Sequence, residues 1–169
     1  MNKKPILIII IGDHSNGKTT LIKAMLNNKI ISKENAIFTK GSKQELKRDP
    51  EYVLEQVKKK LKENIEIVAL PVRALPMDSK FGASNYGYEY VNILTKNIEF
   101  SKVILVELDG NENKMTQHNK NLRFINTMKC KELSNCKDTV YESFPYVINK
   151  KELANKIKDA VDYINSQFK

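Results

Sequence analysis

Residues 6–26 read ILIIIIGDHSNGKTTLIKAML, and how this stretch folds decides the architecture of the chain. Its first part, Ile6-Leu7-Ile8-Ile9-Ile10-Ile11, has no polar alternation, which predicts a strand covered on both faces, as in a parallel sheet. The run is far shorter than the roughly 18 apolar residues that a membrane span needs. From Lys18 to about Asn27, Leu21, Ile22, Met25 and Leu26 recur at helical spacing. Between strand and helix lies Gly12 to Thr20, GDHSNGKTT, polar and bounded by glycine.

Within that loop, Gly12-Asp13-His14-Ser15-Asn16-Gly17-Lys18-Thr19 satisfies G-x-x-x-x-G-K-[ST] at every fixed position. Glycines allow backbone conformations and close approaches that a side chain would block. Successive N–H groups can then form a concave anion nest, helped by the dipole of the helix that follows. Lys18 adds a point charge aimed at β- and γ-phosphates, and Thr19, with Thr20 beside it, offers a hydroxyl for Mg²⁺. The variable residues Asp13 and His14 are expected to turn toward solvent. The whole stretch resembles the Walker A loop of the P-loop NTPases, which implies GTP or ATP bound with Mg²⁺ by residues 12–20.

Such a loop needs a second carboxylate to hold the metal or order its water. Val103 to Leu108 reads as a buried strand, and its end is Glu107-Leu108-Asp109-Gly110. Glu107 and Asp109 stand two apart, so both point to one side of an extended strand. Either is a candidate metal ligand and, with Lys18, a candidate catalytic residue. Glu107, directly after four apolar residues, is slightly favoured; Asp109-Gly110 is alternatively a turn.

Elsewhere, Ala36–Thr39 is a candidate short strand. Asp49-Pro50-Glu51 starts a helix with Asp as cap, and Val53, Leu54, Val57 and Leu61 form its apolar stripe. Ile65–Leu70 is a strand, Pro71–Gly87 a long irregular loop, and Tyr88–Leu94 fits strand or helix equally. Tyr146–Asn149 is a weak strand. Leu153, Ile157, Val161, Ile164 and Phe168 mark an amphipathic closing helix. Alternating strands and helices predict an α/β three-layer sandwich, a mainly parallel sheet with flanking helices, as one domain over residues 1–169.

Composition adds limits. With 41% apolar residues in 169, a globular domain is expected rather than disorder. The net charge of +9 comes from scattered lysines, and the arginines are Arg48, Arg73 and Arg123. That pattern favours a solvated lysine surface over a nucleic-acid face. Cys130 and Cys136 have no histidine pair nearby, so two reduced thiols are expected rather than a zinc site. With no signal peptide or membrane segment evident, a cytoplasmic protein is expected.

Three further resemblances divide the function. VILVELDGNEN is similar to a strand end in the SIMIBI branch of P-loop proteins, which includes nickel-insertion GTPases and the GTP-binding accessory protein of molybdopterin-guanine-dinucleotide synthesis. This implies an accessory NTPase with a protein partner or a second copy across the nucleotide face. The chain lacks the histidine-rich stretch and the metal-binding His or Cys cluster of those relatives. Val147-Ile148-Asn149-Lys150-Lys151-Glu152 resembles the guanine-reading N-K-x-D motif through Asn149, Lys150 and Glu152, with Glu in place of Asp; the same residues alternatively cap the closing helix. IGDHSNGKTTL also resembles the loop of translation GTPases, but Glu107–Asn111 lacks the Asp and His of their next motif. Finally, GKTTLIKAML and IFTKGS resemble small-molecule P-loop kinases, which would make Arg73 a substrate or phosphate contact and Asp78 a base; otherwise Arg73 is an ordinary surface charge and Asp78 a turn residue, the reading favoured for each. The leading expectation is Mg²⁺-dependent binding and hydrolysis of GTP or ATP by an accessory or regulatory NTPase. The alternative is a kinase that transfers the γ-phosphoryl group to a nucleotide or other small molecule.

Overall fold

The computed structural model describes residues 3–12, 17–32, 36–38, 50–72, 86–109, 115–130, 133–145, 147 and 149–168. Among them, five strands form one sheet: β1 (Ile6–Ile11), β2 (Ala36–Phe38), β3 (Ile67–Val72), β4 (Lys102–Glu107) and β5 (Thr139–Ser143). Their order is β2-β3-β1-β4-β5, and every neighbouring pair is parallel. The helices are α1 (Lys18–Asn27), α2 (Pro50–Leu61), α3 (Tyr86–Asn97), α4 (Met115–Cys130) and α5 (Lys150–Ser166). The α/β sandwich expected from the alternation is the one observed. No helix among the described residues is long and apolar enough to cross a membrane.

β1 lies in the middle, paired with β3 and β4, and residues 7–11 are fully buried. Its side chains alternate between two cores. Leu7, Ile9 and Ile11 pack with Val53 and Val57 of α2, Val91 and Leu94 of α3, and Phe124, Ile125 and Met128 of α4. Ile8 and Ile10 pack with Leu21, Ile22 and Met25 of α1 and Ile157, Ala160, Val161 and Ile164 of α5. An unbroken apolar strand is thus explained by helices on both faces.

Helix ends follow local chemistry. α1 and α2 are each followed by a non-glycine residue in the left-handed region, Lys29 at φ 57° and Asn64 at φ 66°. Behind each, an N–H returns to the helix: Ile30 to Met25 O at 3.0 Å and Ile65 to Lys60 O at 3.4 Å. These closures turn the chain back toward the sheet and satisfy end carbonyls.

Several boundaries differ from the sequence reading. β3 runs to Val72, two residues beyond the expected Leu70, and Tyr88–Leu94 is part of a helix. Residues 73–85, with Arg73 and Asp78, lie outside the described residues, as do Arg48 and the Asp49 cap. The fifth strand among the described residues is Thr139–Ser143; of the expected Tyr146–Asn149, Tyr146 and Ile148 lie outside the described residues and Asn149 caps α5. Its half-buried pattern marks an edge strand, so no apolar run announced it.

Helix α4 was not anticipated, because its inward stripe mixes polar and apolar residues: His118, Asn121, Phe124, Ile125 and Met128. Phe124→Ala is expected to lower stability by about 3–5 kcal/mol, the cost of a truncated core aromatic. Exposed Asn119→Ala is expected to stay within about 0.5 kcal/mol of wild type. Urea unfolding of the two variants checks both; equal midpoints would remove α4 from the core.

Candidate functional site

The chain leaving β1 goes to α1 on one face of the sheet, whereas β3 and β4 lead to helices on the other. Loops departing to opposite faces open a crevice at the carboxyl ends of the strands, where open α/β sheets bind ligands. Gly12, Gly17, Lys18 and Thr19 reach that edge from β1 and α1. Glu107, Leu108 and Asp109 reach it from β4, where Glu107 pairs with Ile11 in register.

The edge is tightly tied. Gly12 N–H donates to Val72 O at 3.2 Å, and Leu108 N–H to Ile11 O at 2.9 Å. Gly17 is the N-cap of α1, in the left-handed region at φ 97°, and no side chain caps the helix there. A Cβ on Gly17 would stand 3.3 Å from both Leu153 Cδ1 and Ile157 Cδ1 of α5. Conformation therefore favours glycine here, and the space beside it is tight. The first turn of α1 has no acidic residue, which leaves its positive end unneutralised within the helix. Asp13, His14, Ser15 and Asn16 lie outside the described residues.

Lys18 opens α1, and its side chain folds back so that Nζ donates to Gly12 O at 2.6 Å. It is only 5% exposed, a buried charge spanning the turn. Thr19 and Thr20 are exposed in the same helical turn.

The two expected carboxylates are both fully buried and do point to one side, since Asn121 Nδ2 donates to both. Its distances are 2.8 Å to Glu107 Oε2 and 3.0 Å to Asp109 Oδ2. Glu107 accepts three more donors: His118 Nδ1 at 2.8 and 2.9 Å, Tyr141 OH at 3.0 Å and Ser143 Oγ at 2.7 Å. Burial, then the Glu107 charge, pushes the Tyr141 hydroxyl up to about 12, so the phenol stays a donor. His118, Asn121, Tyr141 and Ser143 were not picked out from the sequence. The signal for two of them was the α4 stripe, which continues from Met128, Ile125 and Phe124 back to Asn121 and His118.

From the other face, Lys156 of α5 is 3% exposed and donates to Leu108 O. Burial lowers its pKa to about 8, against the opposing pull of Asp109 and then Glu107. Two carboxylates and two ammonium groups are thus buried along one sheet edge.

At the start of α5, Asn149 Oδ1 accepts from Glu152 N at 2.8 Å, a side-chain N-cap. This cap accounts for the Asn149–Glu152 spacing without a nucleotide base. Lys150 and Glu152 are exposed on the first turn.

No protein family matches the chain, and no curated protein does. Among solved structures, thymidylate kinase from Ehrlichia chaffeensis superposes with a TM-score of 0.51 at 13% identity, over 96% of this chain and 100% of that one. At that identity the likeness is one of fold: this chain shares the α/β architecture of that structure. A second structure, APE1195, covers 99% of this chain and 96% of its own at a TM-score of 0.41 and 11% identity, too loose to argue from.

Two outcomes are expected. Gly17→Ala should cost at least 1–2 kcal/mol, roughly the price of a left-handed L-residue, read as a lower urea midpoint; an unchanged midpoint would contradict the Gly17 geometry. Lys156 has a folded pKa of about 8 below its unfolded value of 10.5, so the unfolded chain binds more protons between them. Metal-free wild type should therefore gain stability relative to Lys156→Met as pH rises from about 8 to 10.5. Parallel stability–pH curves would mean that Lys156 is not perturbed.

Proposed function

We propose that the crevice beside β1 binds a Mg²⁺–nucleoside triphosphate and that the chain transfers its γ-phosphoryl group to a small-molecule acceptor. The observation that carries the reading is Lys18, a buried cation bridging back to Gly12 within a complete G-x-x-x-x-G-K-T sequence. Its neighbours are the N–H groups of an α1 start that has no side-chain cap. Gly12 to Thr20, with Asp13, His14, Ser15 and Asn16, would wrap the β- and γ-phosphates. Lys18 would exchange the Gly12 carbonyl for phosphate oxygens, and the α1 dipole would favour the same charge.

The donors suit Mg²⁺, a hard cation that takes oxygen ligands and keeps several waters. Thr19 offers a hydroxyl and Asp109 a carboxylate. Among the described residues, no group of three or more His, Cys, Asp or Glu forms a protein cage, which a magnesium site of this kind does not need. Asp109 is preferred to Glu107 as the ligand, because four donors already occupy Glu107, about the capacity of a carboxylate. The metal would neutralise charge developing on the phosphates. Lys18 would do so from the protein side, while the α1 N–H groups hold the phosphates in line with the acceptor.

Transfer is preferred to hydrolysis because of the likeness in fold to a thymidylate kinase over nearly the whole chain. Thymidylate is therefore the first acceptor to offer, with other nucleotides and nucleosides beside it. The accessory-NTPase reading is the competing outcome.

Calorimetric titration with ATP and GTP, each with Mg²⁺, tests the site. Lys18→Ala should abolish tight binding, and Asp109→Asn should remove its Mg²⁺ dependence. Unchanged affinity in Lys18→Ala would refute the site. A GTP preference lost in Glu152→Ala would give Asn149, Lys150 and Glu152 a base-reading role in addition to the cap. Diphosphate released with a phosphorylated acceptor supports the kinase; diphosphate with inorganic phosphate alone selects the NTPase.

A further inference from the structure

Phosphate binding leaves one polar cluster of the crevice unexplained. Glu107 is fully buried, yet it gathers donors from two other elements, His118 and Asn121 of α4 and Tyr141 and Ser143 of β5. A carboxylate offers only lone pairs, so His118 must present Nδ1–H to it. Both carboxylate oxygens lie within 2.9 Å of that nitrogen, which fixes the ring plane and the tautomer. In the neutral ring Nε2, on the far side, then carries the lone pair. The His118 side chain is 22% exposed whereas that of Glu107 is 0%. It stands near the start of α4, at the same carboxyl edge of the sheet as Gly12 and Lys18, and its partner Glu107 is in register with Ile11.

Fastening α4 to β4 would not need a histidine. Asn121, one turn further on, does that with an amide, bridging Glu107 and Asp109. What the imidazole adds is a basic nitrogen, oriented by a buried carboxylate, on a side chain that is itself only partly buried. This is the relation of base to orienting acid that activates a hydroxyl nucleophile.

We propose that His118 is the base of the phosphoryl transfer, that Glu107 is its positioning residue, and that the acceptor reacts through a hydroxyl group. The inference rests on the nucleoside triphosphate site proposed above. In the step, the acceptor oxygen forms a bond to the γ-phosphorus, and the bond from that phosphorus to the β–γ bridging oxygen breaks. The nucleoside diphosphate leaves with the electron pair, and the hydroxyl proton passes to His118 Nε2. The resulting imidazolium is held by the Glu107 carboxylate. An acceptor attacking through an ionised phosphate would have no such proton to give up, so the class indicated is an alcohol, with water as the slow substitute.

The chain has two histidines, His14 in the loop and His118, so imidazole ¹⁵N spectra of the whole protein report on each separately. In free protein His118 should be the Nδ1–H tautomer, and Glu107→Gln should erase that preference. Adding Mg²⁺, ADP and aluminium fluoride should move His14 and the Nε2 signal of His118. Single-turnover transfer from Mg²⁺–ATP to water and to thymidine should fall about 100- to 10,000-fold in His118→Ala, the usual contribution of a general base. Nucleotide affinity should be unchanged, and added imidazole should restore part of the rate. His118→Gln keeps a donor for Glu107 without a base and should lose the rate while keeping the fold, which covers the case in which the alanine variant does not fold. Movement of His14 with a static His118, or wild-type turnover in His118→Gln, would overturn the proposal and leave the nucleotide site standing. So would a wild type that binds Mg²⁺–ATP but turns over with neither acceptor, or that phosphorylates only the phosphate of thymidylate. Static signals from both histidines, together with no ATP binding by calorimetry, would remove the nucleotide reading and this inference with it.

Discussion

The structure depends on the double-sided burial of β1. A strand whose residues 7–11 have no exposure must have sheet on both edges and helices on both faces. β3 and β4 supply the edges, α2 to α4 cover one face, and α1 and α5 cover the other. Because α1 alone departs from β1 toward its face, while the chains leaving β3 and β4 take the other, the crevice opens beside the glycine-bounded loop. Packing the apolar run and making the site are consequences of one arrangement.

Charge at the sheet edge is handled by pairing and by hydrogen bonds. Buried ions are costly unless their lone pairs and protons are satisfied. Here Glu107 has four side-chain donors, Asp109 shares Asn121 with it, Lys18 reaches Gly12 O and Lys156 reaches Leu108 O. Two negative and two positive groups lie along the ends of adjacent strands. The positive ones come from helices on one face of the sheet, and most of the donors to the carboxylates come from the other. Nucleotide charge arriving at this edge would meet groups that are already oriented, which lowers the reorganisation that binding requires.

Helix α5 touches both the β1 and the β4 side of the site. Leu153 and Ile157 crowd the space beside Gly17, within a turn of where Lys156 holds the Leu108 carbonyl. Gly17 and the end of β4 thereby contact the same helix. This gives the closing helix a part in the site beyond its apolar stripe, although its first residues are occupied by capping.

By itself the sequence determined those features that rest on local chemistry. The apolar run at 6–11, the glycine and lysine spacing behind it, the alternation of strands and helices, the stripe of α5 and the shared direction of Glu107 and Asp109 were all legible. Periodicity and backbone geometry decide them without distant partners. Tertiary structure alone decided the rest. β5 is a half-buried edge strand with a weak pattern, and α4 turns His118 and Asn121 inward, so its stripe is not apolar. Those two residues are 11 and 14 positions from Glu107, and Tyr141 and Ser143 are 34 and 36 away. Nothing local in the chain signals that they converge on one carboxylate. Only the order of the strands, which sets β5 beside β4 and α4 over both, brings their donors to the same two oxygens.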